Sequence, residues 1–158
     1  MTVYLSLGAN LGNREETIDK ALSLLAEQVG PLIKRSSFFY SKPWGFESPN
    51  DFCNLCASFK TDFSPLDLLH TTQAIERALG RKEKTPVADN HSPLTFNFYS
   101  DRCIDIDIIR AFDDNGREIK CKITNHKSQM SSAPLLTIPH PLWRERDFVK
   151  VPLEEIMQ

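Results

Sequence analysis

The order of its hydrophobic periodicities restricts the fold of this chain more than any single motif does. Apolar residues alternate along Val3–Leu7, which predicts a strand, and recur three and four positions apart along Ile18–Val29, which predicts a helix behind a capping box at Asn13 and Glu16. A second helix begins at Ser64–Pro65, where an N-cap serine precedes a proline. Three further strands are predicted at Ile33–Tyr40, Phe52–Thr61 and Cys103–Ile109.

The resulting order is strand, helix, strand, strand, helix, strand, which is that of a ferredoxin-like α+β sandwich, an antiparallel sheet with helices packed on it. We expect residues 1–158 to form this single domain, since a chain of 158 residues can bury a core without disulfides. Asp113–Gly116 predicts the turn of an exposed hairpin whose second arm runs from about Ile119 to Thr124. The polar loop Arg81–Asp101 is long for a compact domain, and loops of that length are usually functional.

Charge and hydropathy exclude several classes of protein. The formal net charge of −2 provides no basic surface for nucleic acid or an anionic membrane. No apolar run approaches the roughly 18 residues of a membrane span, and the N-terminal segment has no basic region before its apolar stretch. We therefore expect a cytoplasmic protein with small-molecule partners and no nucleic-acid or membrane partner. We expect a monomer, with a dimer as the alternative.

Cys53 and Cys56 form a C-x-x-C pattern, which is found in redox pairs and zinc sites. Here the pattern lies inside a predicted strand, where residues three apart point to opposite faces of the sheet. No second cysteine or histidine pair completes a zinc site. We therefore expect both thiols to be buried and apolar in character.

The segment Arg102–Ile109 alternates isoleucine and aspartate, so Asp105 and Asp107 share one face of a strand. Two positions along a strand span about 6.6 Å, so both carboxylates can converge on one small volume. Their mutual repulsion would be relieved by one or two divalent cations, and oxygen-only ligands favour Mg²⁺. The alternative is that the two carboxylates simply face solvent, although aspartate is depleted in strands.

Three weaker patterns carry groups suited to nucleotides and heteroaromatic rings. Thr137–Phe148 places His140, Arg144 and Arg146 beside two aromatic residues, and arginine binds phosphate through two parallel hydrogen bonds. The alternative is a surface turn held by prolines. Gln73 and Glu76 lie three apart on the second helix, which is also typical of a solvated helix face. Aromatic residues around Trp44 and Phe52 form a candidate ring-binding slot or the edge of a core.

Together these segments resemble the 6-hydroxymethyl-7,8-dihydropterin pyrophosphokinases of folate biosynthesis. The resemblance runs from Gly8–Gly12 to Pro152–Ile156 and rests most on Arg-x-x-Asp-x-Asp at 102–107 and on Ile138–Pro141. It implies an ATP-dependent diphosphotransferase that transfers pyrophosphate from ATP to the pterin hydroxymethyl group and releases AMP. It also implies two Mg²⁺ ions held by Asp105 and Asp107, with ATP as co-substrate.

The resemblance also assigns roles to individual residues. Positions implied to bind the pterin are Ser41, Pro43, Trp44, Gly45, Phe52, Asn54 and Phe148. Positions implied to contact ATP are Leu69, Gln73, Glu76, Ile108, Thr137, His140 and Arg146. Positions implied to be catalytic are Arg81, Arg102, Asp105 and Asp107, with Arg81 on a loop that closes over the phosphates. The second loop arginine typical of the family is absent, and Lys82 or Lys84 would substitute for it.

Two rival functions use the same predicted fold. One is a binding module for RNA or a small metabolite that carries the two aspartates incidentally. A sheet that binds RNA needs exposed aromatic residues and a basic field, whereas this face carries acids and the chain is negatively charged. A different ATP-dependent transferase on this scaffold is the nearer rival, because fold alone does not determine the reaction.

Overall fold

The computed structural model describes residues 1–44, 47–80, 103–124 and 135–158 of the chain. Its strands are β1 (Thr2–Ala9), β2 (Leu32–Arg35), β3 (Phe39–Ser41), β4 (Phe52–Lys60), β5 (Asp105–Phe112), β6 (Cys121–Ile123) and β7 (Leu136–Ile138). Its helices are α1 (Arg14–Gln28), α2 (Pro65–Ala78) and α3 (Asp147–Ile156), with a 3₁₀ turn at Trp143–Glu145. Among these described residues, no helix is both long and apolar enough to cross a membrane.

The main sheet is antiparallel and has the strand order β2-β4-β1-β5, with β3 also paired to β4. The central strand β1 pairs with β4 along its whole length and with β5 on its other side. This order places the long strands β1 and β4 side by side, with the last long strand, β5, at one edge. The predicted ferredoxin-like sandwich is therefore confirmed.

Helices α1 and α2 cover one face of the sheet and enclose the larger core. The capping box at the start of α1 is formed, since Asn13 Oδ1 accepts from the Glu16 backbone N–H at 3.2 Å. At α2, Ser64 Oγ accepts from the Asp67 N–H at 3.2 Å. The buried strand residues of this core are Val3, Leu5, Leu7, Ala9, Cys53, Leu55, Ala57, Phe59, Ile106, Ile108 and Ala111.

Helix α3 packs on the opposite face, chiefly against β4. Val149, Leu153 and Ile156 form its buried stripe and contact Cys56 and Ile109 of the sheet. The sequence analysis missed this helix because Pro152 lies inside it and the preceding prolines suggested a turn. The four-and-three spacing of the stripe was the signal that predicts a helix. Since α3 covers only part of this face, the remainder is available for a site.

The prediction of one strand at Ile33–Tyr40 was wrong, because two short strands, β2 and β3, occupy this segment. The break lies at Ser36, whose N–H donates to the Cys56 carbonyl at 2.9 Å. The Cys56 N–H donates in turn to Ser36 Oγ at 3.0 Å. A side-chain hydroxyl therefore replaces the backbone acceptor at this point of the ladder, which interrupts the strand.

Two boundaries also differ from those predicted. Strand β5 begins at Asp105 and continues to Phe112, because it pairs with β1 as far as Thr2. The arm after the Asp113–Gly116 turn meets β5 at an isolated Phe112–Glu118 bridge, and β6 then pairs with β7. In α2, Glu76 is buried together with Leu68, Thr72 and Ile75.

Candidate active site

The sheet face on which α3 packs also carries a row of three residues on adjacent strands. Asn54 of β4 pairs with Gly8 of β1, and Gly8 pairs with Asp105 of β5. One pair further along the sheet, Ser6 lies opposite Asp107. The sheet register therefore places an amide, a position without a side chain and two carboxylates next to one another.

The predicted separation of aspartates from isoleucines is confirmed. Ile104, Ile106 and Ile108 are buried in the core beneath α1 and α2, whereas Asp105 and Asp107 are partly exposed. Two carboxylates on one face, beside the Ser6 hydroxyl, form an oxygen-only donor set. This chemistry fits a hard divalent cation such as Mg²⁺.

Asn54 is held in a single orientation by two hydrogen bonds. Its Nδ2 donates to the Phe39 carbonyl at 3.0 Å and to Ser41 Oγ at 2.9 Å. A Cβ added to Gly8 would lie 2.9 Å from Asn54 Oδ1 and 3.7 Å from the Phe52 ring. The amide oxygen and the Phe52 ring therefore sit directly over Gly8, which explains a glycine inside a central strand.

An aromatic and cationic cluster lies between α3 and the loop after β3. The Arg146 guanidinium carbon is 4.5 Å from the Trp44 ring centroid and 5.8 Å from that of Phe148. Arg146 is 8% exposed, so the alternative of a surface arginine in this turn is wrong for this residue. Phe148 is half-buried at the edge of the α3 cluster, and Trp44 is 38% exposed. A guanidinium packed between rings is both oriented and partly dehydrated.

His140 is neutral in this environment. Burial, together with the positive charge of Arg146, lowers the pKa of His140 to about 4, although the Asp105 charge opposes this shift. Its Nδ1 accepts from the Leu142 N–H at 3.1 Å, which leaves the ring proton on Nε2 as a hydrogen-bond donor. Its backbone N–H donates to the Ile109 carbonyl at 2.8 Å, which fixes the residue beside β5.

The remaining predicted nucleotide contacts follow the β5 edge of the sheet. Because the Ile108 side chain is buried in the core, only its backbone can meet a ligand. Thr137 is half-buried on β7, which packs beside β5. Helix α2 also contacts β5, but from the face opposite the two aspartates. On that helix Leu69 is partly buried, Gln73 is exposed and Glu76 is buried.

Five further predicted positions complete the description of the site. Ser41 and Pro43 are both half-buried near the end of β3. Gly45, Arg81 and Arg102 lie outside the described residues, and so does the predicted loop that contains Arg81.

The C-x-x-C pair has no role in this site. Cys53 belongs to the core beneath α1 and α2, and Cys56 belongs to the cluster beneath α3, so the sheet separates the two thiols. Burial raises the pKa of Cys53 to about 11 and that of Cys56 to about 12. Within the described part of the chain, no group of three or more metal-binding side chains is present. The prediction of buried apolar thiols is confirmed.

Comparison with known proteins decides the family. A family model described as 7,8-dihydro-6-hydroxymethylpterin-pyrophosphokinase (HPPK) matches residues 4–158. The chain belongs to this family. HPPK relatives also share most of the chain length: a protein of Porphyromonas gingivalis, named 2-amino-4-hydroxy-6-hydroxymethyldihydropteridine pyrophosphokinase, is 40% identical over 154 residues, which cover 98% of this chain and 89% of the relative.

A second HPPK relative, from Aquifex aeolicus and with the same name, is 34% identical over 155 residues, covering 98% of this chain and 79% of its own. Among solved structures, an HPPK-DHPS chain in complex with substrates matches with a TM-score of 0.62 and 16% identity. That match covers 99% of this chain and 40% of the other. At this identity it shows a shared fold only.

Two residues beside the predicted site residues, Gly8 and Ser6, were not singled out from the sequence. Gly8 lies inside β1, which continues to Ala9. Ser6 was treated only as part of the strand alternation, although it is buried opposite Asp107. A glycine that interrupts a strand pattern was the available signal, because it often marks close approach of another group.

Proposed function

We propose that this HPPK-family chain transfers pyrophosphate from ATP to 6-hydroxymethyl-7,8-dihydropterin, with Asp105 and Asp107 as its metal-binding centre. One observation carries the proposal: the two carboxylates and the Asn54 amide lie on the same sheet face, joined through Gly8. This arrangement supports a reaction in which a phosphate-bound cation and a polar heterocycle must meet.

The acceptor substrate would bind at the β4 end of this face. Because both Nδ2 hydrogens of Asn54 are used within the protein, its Oδ1 is the atom that accepts from an N–H of the pterin. The Ser41 hydroxyl accepts a hydrogen bond from Asn54, so its own proton would be donated to the polar edge of the pterin. Phe52 and Phe148 would stack on the ring from two sides, and Pro43, Trp44 and Gly45 would line the pocket.

The triphosphate would lie towards the β5 end of the face. Two Mg²⁺ ions held by Asp105 and Asp107 would neutralise charge on the phosphates and orient the hydroxymethyl oxygen. Arg146 would donate to phosphate oxygens from its position against Trp44, and neutral His140 would donate through Nε2. Arg81 and Arg102 would add positive charge.

The rest of ATP would extend along the β5 edge. The Ile108 backbone and Thr137 would contact the nucleoside portion, together with Leu69, Gln73 and Glu76 of α2. These groups lie on elements that pack directly against β5, namely α2 and β7. A rigid edge of this kind fixes the nucleotide relative to the two aspartates.

The chain would catalyse transfer mainly by positioning. The pterin hydroxyl oxygen forms a bond to the β-phosphorus, the bond from that phosphorus to the oxygen shared with the α-phosphate breaks, and AMP leaves with that oxygen. The hydroxyl proton is released to solvent, so neither aspartate acts as a general base. Holding the two reactants in line supplies much of the rate enhancement in such reactions.

We further propose that the protein acts in the cytoplasm as a monomer. The reaction needs only small diffusible substrates.

The experiment is incubation of the purified protein with ATP, Mg²⁺ and 6-hydroxymethyl-7,8-dihydropterin, followed by identification of the nucleotide product. We expect AMP and the dihydropterin diphosphate in equal amounts. ADP would indicate transfer of a single phosphoryl group and contradict the proposal. A reaction without the pterin serves as the control for simple hydrolysis.

A further inference from the structure

Two side chains from the first turn of α1 reach the two ends of the segment that joins β3 to β4. Glu15 Oε1 accepts a hydrogen bond from the Tyr40 hydroxyl at 2.8 Å. The neighbouring Arg14 donates through a terminal guanidinium nitrogen to the Asp51 carbonyl at 2.8 Å. One helical turn therefore holds both the start and the end of this segment.

Each of these contacts ends one residue away from a side chain of the proposed pterin pocket. Tyr40 precedes Ser41, and Asp51 precedes Phe52. Ser41 of β3 and Phe52 of β4 are themselves a cross-strand pair. The Glu15–Tyr40 and Arg14–Asp51 contacts therefore lie on either side of this one pair. Alternation along β3 directs Tyr40 to the face that α1 covers and Ser41 to the opposite face, where Asn54 binds it.

The two contacts are also linked to each other. The Arg14 guanidinium carbon lies 5.4 Å from the Tyr40 ring centroid, and Arg14 approaches the Glu15 carboxylate at 3.8 Å. The hydrogen bond to Glu15 raises the pKa of Tyr40 to about 12, so the hydroxyl is a donor at neutral pH. A backbone hydrogen bond and the Tyr40 hydroxyl lower the pKa of Glu15, so its carboxylate is the charged acceptor.

We propose that Arg14, Glu15 and Tyr40 form a clamp that positions Ser41 and Phe52 for the acceptor substrate. This inference rests on the proposed pterin pocket. Without the clamp, the end of β3 and the start of β4 sample more conformations before the substrate binds, and ordering them reduces affinity. The affinity for ATP should not depend on the clamp, because ATP would lie along the β5 edge. The three are positioning residues, because they touch the pocket only through their neighbours.

Tyr40→Phe is the main test, because it removes only the hydroxyl and keeps the ring beneath Arg14. We expect the dissociation constant of the pterin to rise about threefold to tenfold. The dissociation constant of ATP should change by less than about twofold. Both constants are measured by calorimetry, and urea unfolding of each variant records any change in global stability.

The matched control is Asp19→Asn, also on α1. Asp19 accepts from Arg35 of β2 at 3.1 Å, so it likewise ties this helix to a strand through an exposed polar contact. It has no contact with β3 or with Asp51 in the described structure. A purely structural role for such contacts predicts equal effects of the two substitutions, whereas the clamp predicts that only Tyr40→Phe weakens pterin binding.

Glu15 provides the second arm of the test. Glu15→Ala should weaken pterin binding as Tyr40→Phe does, and the double variant should be no weaker than either single one, since both remove the same hydrogen bond. Glu15→Gln keeps an acceptor for the Tyr40 hydroxyl and should restore most of the affinity.

Two outcomes overturn the clamp: unchanged pterin affinity in Tyr40→Phe, or equal losses of pterin and ATP affinity. Wild-type protein measured in parallel separates this result from the proposed function. If wild-type protein does not bind the pterin, the proposed function fails. If wild-type protein binds the pterin and Tyr40→Phe binds it equally well, only the clamp fails.

Discussion

Gly8 of β1 and Asn54 of β4 face each other so closely that a Cβ on Gly8 would lie 2.9 Å from Asn54 Oδ1. Moving the Asn54 side chain would cost free energy, because its Nδ2 donates hydrogen bonds to both the Phe39 carbonyl and Ser41 Oγ. Because Gly8 has no side chain, the Asn54 amide oxygen can adopt the orientation proposed for pterin recognition.

Gly8→Ala should displace the Asn54 amide and disturb its two hydrogen bonds. We expect the dissociation constant of the pterin to rise by about tenfold or more, since a bond to the ligand is lost and the pocket is narrowed. Calorimetric titration with the pterin, and separately with ATP, measures the effect. Unchanged pterin affinity would show that Asn54 does not contact this substrate.

Phe148→Ala should weaken pterin binding much more than ATP binding. Stacking of a heteroaromatic base on an aromatic side chain contributes about 1–3 kcal/mol, which corresponds to about a 5-fold to 150-fold change in the dissociation constant. Met157→Ala is the matched control, because Met157 packs on the same α3 cluster at its other end. Equal losses for the two ligands would contradict stacking by Phe148.

Local patterns predicted those parts of the fold that depend on neighbours in sequence. The Asn13 and Ser64 caps form as expected, because each depends on a backbone N–H two or three residues away. The separation of Asp105 and Asp107 from the adjacent isoleucines follows directly from the twofold repeat of a strand.

Features that depend on distant partners were not predictable in this way. Ser36 interrupts a strand because Cys56, twenty positions later, lies opposite it. Strand β5 continues beyond its predicted end, because Arg110 and Phe112 pair with Tyr4 and Thr2 of β1, about a hundred positions earlier in the chain. The burial of Arg146 depends likewise on Trp44, about a hundred positions earlier in the chain.

His140 should make the folded protein sensitive to acid. Its pKa is about 4 in the folded state and 6.5 in a solvated histidine, so the unfolded chain binds a proton more readily. The associated stability is complete above about pH 6.5 and is lost as the pH falls towards 4.

Urea unfolding at pH 7 and at pH 4.5 measures this sensitivity. His140→Gln should lose less of its free energy of unfolding on acidification than the wild-type protein does, because glutamine does not titrate. Parallel losses in the two proteins would show that His140 is not the titrating group. Direct observation of the His140 ring protons by NMR gives its pKa independently.

The central claim is that Asp105 and Asp107 together hold the cations that bind the triphosphate. The most direct test counts Mn²⁺ ions bound per chain by electron paramagnetic resonance, with a non-hydrolysable ATP analogue present. Asp62→Asn, at the opposite end of β4, controls for the loss of a surface carboxylate. Wild-type protein and Asp62→Asn should each bind two ions, whereas the Asp105→Asn/Asp107→Asn double variant should remain folded and lose this binding. Two ions bound with unchanged affinity by the double variant would contradict the claim.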